Sequence, residues 1–195
     1  NTTSAVGLYG NFGQANYSTA KSGILGLTQT LAVEGERNNI LANTIAPNAG
    51  TAMTATIWPH EMVDAFKPDF VAPLVAYLGS NECECTKSLF EVSGGWIAAV
   101  RWERSGGCAF STARPVPPEL MQKKWAMSTD VQPERASWPA APSESLGDMI
   151  SNFGNEEPDD DAEDFVDPED TPEIKQAKQT DYETTAFPSE ARVVL

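Results

Sequence analysis

The sequence predicts an α/β fold built around a parallel sheet, because segments with helix and strand patterns alternate over its first 110 residues. Two observations carry this prediction. Apolar residues recur at helical spacing between Gln14 and Glu36, and a short, mostly apolar run over 40–46 ends at Pro47. A nearly continuous apolar run is typical of a strand that is buried on both faces, as strands of parallel sheets are.

The first predicted element is a long helix from Gln14 to Glu36. Gly35 lies near its end, where a glycine can stop a helix. Its periodic apolar positions are Ala20, Ile24, Leu27 and Leu31.

Shorter elements follow the predicted strand over 40–46, and we expect the loop after Pro47 to be functional. Helices are predicted over 59–67 and 69–78, the second with Pro73 in its first turn, where proline is tolerated. A last buried strand is predicted over 89–92, before a Gly-Gly pair.

Prolines punctuate the chain beyond Gly107 and leave room for one further helix, from Pro118 to Met127. Acids and prolines dominate residues 151–173, with few apolar groups to offset the entropy of ordering. We therefore expect a Pro-rich, acidic, largely irregular and disordered linker over 128–180, preceded by one domain segment over 1–127 and followed by the start of another over 181–195.

Charge and hydropathy exclude several classes of function. The 195 residues carry a net charge of -15, but eleven acids lie between Glu156 and Glu173, and residues 1–155 carry 10 basic and 14 acidic groups. Without a basic cluster, we expect neither nucleic acid nor an anionic membrane surface as a partner. No apolar run approaches the roughly 20 residues that cross a bilayer, and no signal peptide is visible, so we expect a soluble chain.

The chain has three cysteines, Cys83, Cys85 and Cys108. A small, odd number argues against a disulfide scaffold and favours a reducing compartment. Together with His60 they lack the paired Cys-x-x-Cys spacing of zinc sites. We expect no metal.

The most informative motif is Ser4 followed by Tyr17 and Lys21. On a helix, Tyr17 and Lys21 are i and i+4, so their side chains share a face. An ammonium beside a phenol favours the deprotonated form, which is what a general base needs. Ser4 is expected on the loop that leads into this helix, where it can hydrogen-bond the same substrate oxygen.

These three residues resemble the Ser, Tyr and Lys of the short-chain dehydrogenase/reductase family. The runs at 9–21, 43–50, 89–92 and 101–104 also resemble the dehydrogenase domains of the peroxisomal multifunctional β-oxidation enzymes, and most of all the second dehydrogenase domain of the fungal ones. The resemblance covers about residues 1–125. It implies the C-terminal half of a Rossmann-type doubly wound parallel sheet.

The activity that this resemblance implies is oxidation of (3R)-3-hydroxyacyl-CoA to 3-oxoacyl-CoA with NAD. Tyr17 would take the hydroxyl proton, Lys21 would assist it and hold the nicotinamide ribose, and Ser4 would bind and orient the reacting oxygen. The loop Ala49, Gly50, Thr51 and Ala52 would face the cofactor. A fatty acyl-CoA substrate, a homodimer and a peroxisomal location are implied as well.

Two departures qualify the resemblance. The loop begins Pro47-Asn48 where the common family form has Pro-Gly, and no Gly-rich turn or ribose-binding acid precedes Ser4. We expect a chain cut at both ends, which alone binds NAD weakly or not at all and is inactive. Residues 164–195 resemble the linker and opening of an enoyl-CoA hydratase domain.

Two alternatives stay open. One is a 3-oxoacyl carrier-protein reductase that uses NADPH, since the cofactor is chosen by residues outside this sequence. The other is a catalytically silent fragment that serves in dimerisation or interaction through the helix over 14–36.

Overall fold

The computed structural model describes residues 1–157, and these fall into two compact units, Asn1–Trp102 and the residues from Glu103 onward. This division does not coincide with the boundary predicted at residue 127. The later part of the predicted linker, over 158–180, and the predicted hydratase start, over 181–195, lie outside the described residues. Within residues 1–157, no helix is both long enough and apolar enough to cross a membrane.

The first unit contains four helices and three strands. They are α1 (Ala5–Tyr9), α2 (Ala15–Gly35), β1 (Thr44–Pro47), α3 (His60–Ala65), α4 (Ala72–Leu78), β2 (Leu89–Ser93) and β3 (Trp96–Val100), with 3-10 turns at Glu36–Asn38, Thr54–Thr56 and Pro68–Phe70. The helices predicted over 14–36, 59–67 and 69–78 are confirmed, although the last divides into the turn at Pro68–Phe70 and α4. The first strand begins later than predicted, at Thr44.

The sheet has the order β1-β2-β3, with β1 and β2 parallel and β2 and β3 antiparallel. On the free side of β1, Thr2 forms a further parallel bridge with Ile45, through hydrogen bonds from Thr3 N to Ile45 O (2.8 Å) and from Ile45 N to Asn1 O (2.9 Å). The α/β fold with a parallel sheet is therefore confirmed. The prediction missed β3 and its antiparallel pairing, because β3 is an exposed edge strand without a buried apolar run.

Both faces of the sheet carry helices, as in a doubly wound fold. Ile45 and Ala46 point to opposite faces because successive strand residues alternate. One buried cluster is Leu25, Ala46 and Leu89, and the other is Ile45, Leu74 and Val92. Because the segment at Thr2 runs parallel to β1, both end at the same edge of the sheet. Ser4 lies at this edge, shortly after Thr2, and the 49–52 loop follows β1 there.

The second unit contains α5 (Pro118–Thr129) and α6 (Pro142–Ser151). The helix from Pro118 is confirmed and is slightly longer than predicted. The expectation of irregular chain is wrong at α6, where Pro142 occupies the first turn and so does not break the helix. Arg104 anchors α6 through an ion pair with Asp148 and hydrogen bonds to Ser145.

Candidate functional site

Ser4 caps α1 instead of lying in an open loop. Its backbone is extended, with φ −156°, and its Oγ accepts a hydrogen bond from Val6 N at 3.2 Å. Serine is favoured at this position because its side chain satisfies an otherwise unpaired helix amide. Since α1 begins directly after the strand residues Thr2 and Thr3, the cap fixes Ser4 at the carboxyl edge of the sheet.

Tyr17 and Lys21 share a face of α2, as their spacing predicts. The Lys21 ammonium lies 5.7 Å from the centroid of the Tyr17 ring and donates a hydrogen bond to Thr2 O at 3.2 Å. Tyr17 is 41% exposed, so a reacting group can reach its side chain. Lys21 thus connects Tyr17 with the strand residue that lies two positions before Ser4.

A close contact between α1 and α2 holds this arrangement. Ser18 Oγ donates to Val6 O at 2.9 Å, and Thr3 Oγ1 donates to Lys21 O at 2.6 Å. Ser22 Oγ donates to Gly7 O in the same way. A Cβ atom on Gly7 would lie only 2.7 Å from Lys21 Cβ, so the helices can approach this closely only with glycine at that position.

Sequence reasoning missed these supporting residues, although a signal for them exists. Ser18 and Ser22 each follow one of the two predicted site residues and are themselves i and i+4. They therefore form a second polar stripe beside the first on α2, and the structure shows that this stripe faces α1.

Tyr9, at the end of α1, is a second exposed tyrosine with an opposite electrostatic environment. Its hydroxyl donates to Glu91 Oε2 at 2.9 Å, and this hydrogen bond raises the pKa of Tyr9 above its ordinary value. A carboxylate partner favours the protonated phenol. Of these two tyrosines, only Tyr17 therefore has the cationic neighbour that suits a general base.

The loop from Ala49 to Ala52 follows β1, but two of its backbone amides already donate hydrogen bonds to residues that follow it in the chain. Gly50 N donates to Phe66 O at 2.6 Å, and Thr51 N donates to Thr54 Oγ1 at 2.7 Å. A Cβ on Gly50 would lie 2.0 Å from Val63 O, so α3 alone requires glycine here. No hydrogen bond within residues 1–157 joins this loop to Ser4, Tyr17 or Lys21.

The residues therefore fit a nicotinamide cofactor in part. The exposed phenol and the adjacent ammonium suit hydroxyl groups of a ribose and of a substrate. The amides of Gly50 and Thr51, which sequence reasoning assigned to the cofactor, already have partners in this conformation.

His60 and the three cysteines, for which no metal was expected, lie on separate segments. His60 begins α3, whereas Cys83 and Cys85 lie between α4 and β2, and the three cysteines are free thiols. Among the described residues, no group of three or more His, Cys, Asp or Glu side chains could hold a metal ion.

Comparison with known proteins places this site in context. The family model described as short chain dehydrogenase matches residues 1–62. Peroxisomal multifunctional enzyme type 2 of Mus musculus is 51% identical over 150 residues, which is 76% of this chain and 20% of the mouse protein. Peroxisomal hydratase-dehydrogenase-epimerase of Neurospora crassa is 50% identical over 157 residues, which is 80% of this chain and 17% of that protein.

A solved structure agrees with these relatives. Full-length peroxisomal multifunctional enzyme type 2 of Drosophila melanogaster superposes with a TM-score of 0.68 at 38% identity, and the match covers 77% of this chain and 27% of that one. The chain therefore spans only 17–27% of the length of these proteins.

Proposed function

We propose that this chain, whose residues 1–62 match the family model described as short chain dehydrogenase, is part of an enzyme that oxidises (3R)-3-hydroxyacyl-CoA to 3-oxoacyl-CoA with NAD. The observation that carries the proposal is the Lys21 ammonium beside the Tyr17 ring, held by a hydrogen bond to Thr2 O, two positions before Ser4. The similarity to peroxisomal multifunctional enzymes supports the choice of an acyl-CoA substrate.

Tyr17 is the proposed general base. An ammonium beside a phenol favours the deprotonated form in general, and Tyr17 in that form would remove the proton from the substrate hydroxyl. The nicotinamide cofactor, when bound, supplies the hydride acceptor. Because the phenol is exposed, a substrate oxygen can approach it without rearrangement of α2.

Ser4 is proposed to bind and orient the reacting oxygen. A serine hydroxyl has one donor and two acceptor sites, and the cap uses an acceptor site for Val6 N. The Ser4 O–H is left to donate to the oxygen on which charge develops.

Lys21 would hold the cofactor ribose as well as assist Tyr17. Its ammonium has three N–H donors, and Thr2 O takes one of them. Two donors therefore suffice for the phenolic and ribose oxygens.

The loop over 49–52 is proposed to contact the cofactor after a local exchange of hydrogen bonds. Gly50 N would have to release Phe66 O, and Thr51 N would have to release Thr54 Oγ1. Ala49 and Ala52, whose side chains are small, leave room for a close approach.

We also propose the setting of this enzyme. Its subunits pair as homodimers through α2, which leaves Leu27 and Val33 more than half exposed in the single chain. It acts in peroxisomal fatty-acid β-oxidation, and the segment over 128–180 joins the dehydrogenase segment over 1–127 to an enoyl-CoA hydratase domain that starts near 181. Neither nucleic acid nor a membrane is a proposed partner.

The test is reduction of NAD by the longer protein that carries these residues, with (3R)- and (3S)-3-hydroxyacyl-CoA supplied separately. Turnover of the R isomer alone supports the proposal, whereas turnover of neither isomer, or of the S isomer alone, contradicts it. NADP in place of NAD tests the cofactor. The 195-residue chain by itself should be inactive.

A further inference from the structure

Two thiols face each other in the loop between α4 and β2. Cys83 Sγ and Cys85 Sγ are 3.4 Å apart, and both residues are free cysteines. Cys83 is only 4% exposed, whereas Cys85 is partly exposed. The proposed dehydrogenase chemistry uses neither thiol.

We propose that Cys83 and Cys85 form a redox-active dithiol, which hydrogen peroxide closes to an intrachain disulfide and a thiol reductant reopens. A disulfide bond is about 2.05 Å long, so the two sulfur atoms need to approach by only a little more than 1 Å. Only Glu84 separates the two cysteines, and the ring that closes is therefore small. Small, strained disulfides are easily reduced, which makes the step reversible.

The chemistry begins at Cys85, the more accessible sulfur. Its thiolate attacks one peroxide oxygen, the O–O bond breaks, and a sulfenic acid and hydroxide form. The sulfur of Cys83 then attacks the sulfenic sulfur, the S–O bond breaks, and the second hydroxide leaves. With the two thiol protons the hydroxides become two waters, and two electrons have passed from the sulfur atoms to the peroxide.

The surroundings of Cys85 should make its reaction with peroxide slow. Burial raises the pKa of the Cys85 thiol, and its hydrogen bond with Cys83 acts in the same direction. A small thiolate fraction slows the first attack. The sulfur of Cys83 attacks the sulfenic acid on Cys85 before further oxidation. The site is therefore recognised by its disulfide product and not by a fast reaction with peroxide.

Formation of the Cys83–Cys85 disulfide should also affect the start of β1. Asn43 Nδ2 donates to Cys85 O at 2.7 Å, and Asn43 Oδ1 accepts from Ser88 N at 3.1 Å. Asn43 directly precedes β1, which starts at Thr44. A movement of Cys85 therefore disturbs the bonds that hold the start of β1 against the loop.

The experiment treats the full 195-residue chain with graded hydrogen peroxide, blocks the remaining thiols, and maps the oxidised residues by mass spectrometry after trypsin digestion. Trypsin separates Cys108 from the pair, because Lys87 and Arg101 lie between them. The expected product is one peptide that contains Cys83 and Cys85, has lost two hydrogen atoms, and regains them with dithiothreitol. The thermal midpoint of the oxidised chain should be lower.

Three variants complete the test. Cys108→Ser is the matched control and should form the same internal disulfide. Cys83→Ala should lose the disulfide and accumulate oxygen adducts on Cys85. Cys85→Ala should also lose the disulfide but leave the buried Cys83 largely reduced, and this variant serves if Cys83→Ala does not fold. Oxygen adducts on both cysteines of the unmodified chain, or disulfides to Cys108 or between chains as the main product, would overturn the proposal.

Discussion

Gly7 sets the distance between α1 and α2, and Gly7→Ala should destabilise the chain. The added methyl carbon would lie 2.7 Å from Lys21 Cβ, 2.9 Å from Lys21 C and 2.9 Å from Ser22 N. Two of these atoms belong to the backbone and cannot rotate away. Overpacking of this kind costs about 1–3 kcal/mol, and removing a helical glycine recovers about 0.5–1 kcal/mol.

The net loss in free energy of unfolding should therefore be about 1 kcal/mol, near the middle of these ranges, and more if α1 moves and the 2.9 Å bond from Ser18 Oγ to Val6 O is weakened. With an ordinary dependence on urea, this lowers the unfolding midpoint by roughly 0.5–1 M, measured by circular dichroism. Gly23→Ala is the control, because a Cβ there meets nothing within 4 Å. It should raise stability by about 0.5–1 kcal/mol. Equal midpoints for the two variants would refute the packing argument.

Two other side chains allow sharp tests. The hydroxyl of Thr44 is fully buried with no hydrogen-bond partner among the described residues. In urea unfolding, Thr44→Val should therefore leave the free energy of unfolding unchanged or raise it by up to about 1 kcal/mol. A loss of about 1 kcal/mol would mean that the hydroxyl is hydrogen-bonded. The pKa of Tyr9 is raised above 10.0 chiefly by Glu91, so Glu91→Gln should lower it toward 10.0 in a tyrosinate absorbance titration, with Tyr9→Phe identifying the signal. Because the folded state favours protonated Tyr9, this pair stabilises fully below pH 10.0 and loses its contribution as the pH rises through the raised pKa. An unchanged titration in Glu91→Gln would contradict that cause.

Local patterns predicted the two parallel strands and the long helix. Strands β1 and β2 supply core residues from apolar runs that are visible in the sequence. The predicted apolar face of α2 was wrong: Ala20, Leu27 and Leu31 are exposed, and Leu25 supplies the core contact instead. The shared face of Tyr17 and Lys21 follows from helix geometry alone, and the structure confirms it.

The missed elements lack such a pattern or conceal it. Helix α1 has five residues, too few for a period to be recognised. Strand β3 is mostly exposed. In α6, the spacing of Leu146, Met149 and Ile150 is helical, but the surrounding prolines obscured it.

Gly50 illustrates a limit of a different kind. A small residue after a strand fits both close approach of a ligand and close packing of the chain, and the sequence does not separate the two. The structure places the backbone of Val63 where a Cβ would lie, so packing alone accounts for this glycine. Only the tertiary contact with α3 reveals this requirement.

The central claim is that Tyr17 is the general base, and a comparison of two tyrosine variants tests it most directly. In the longer protein, turnover of (3R)-3-hydroxyacyl-CoA is measured for Tyr17→Phe and for Tyr9→Phe, each of which removes one exposed phenolic hydroxyl. Tyr17→Phe should lower kcat by about 10²–10⁴-fold, while Tyr9→Phe should leave kcat nearly unchanged. A Tyr17→Phe variant that keeps its full rate would contradict the account.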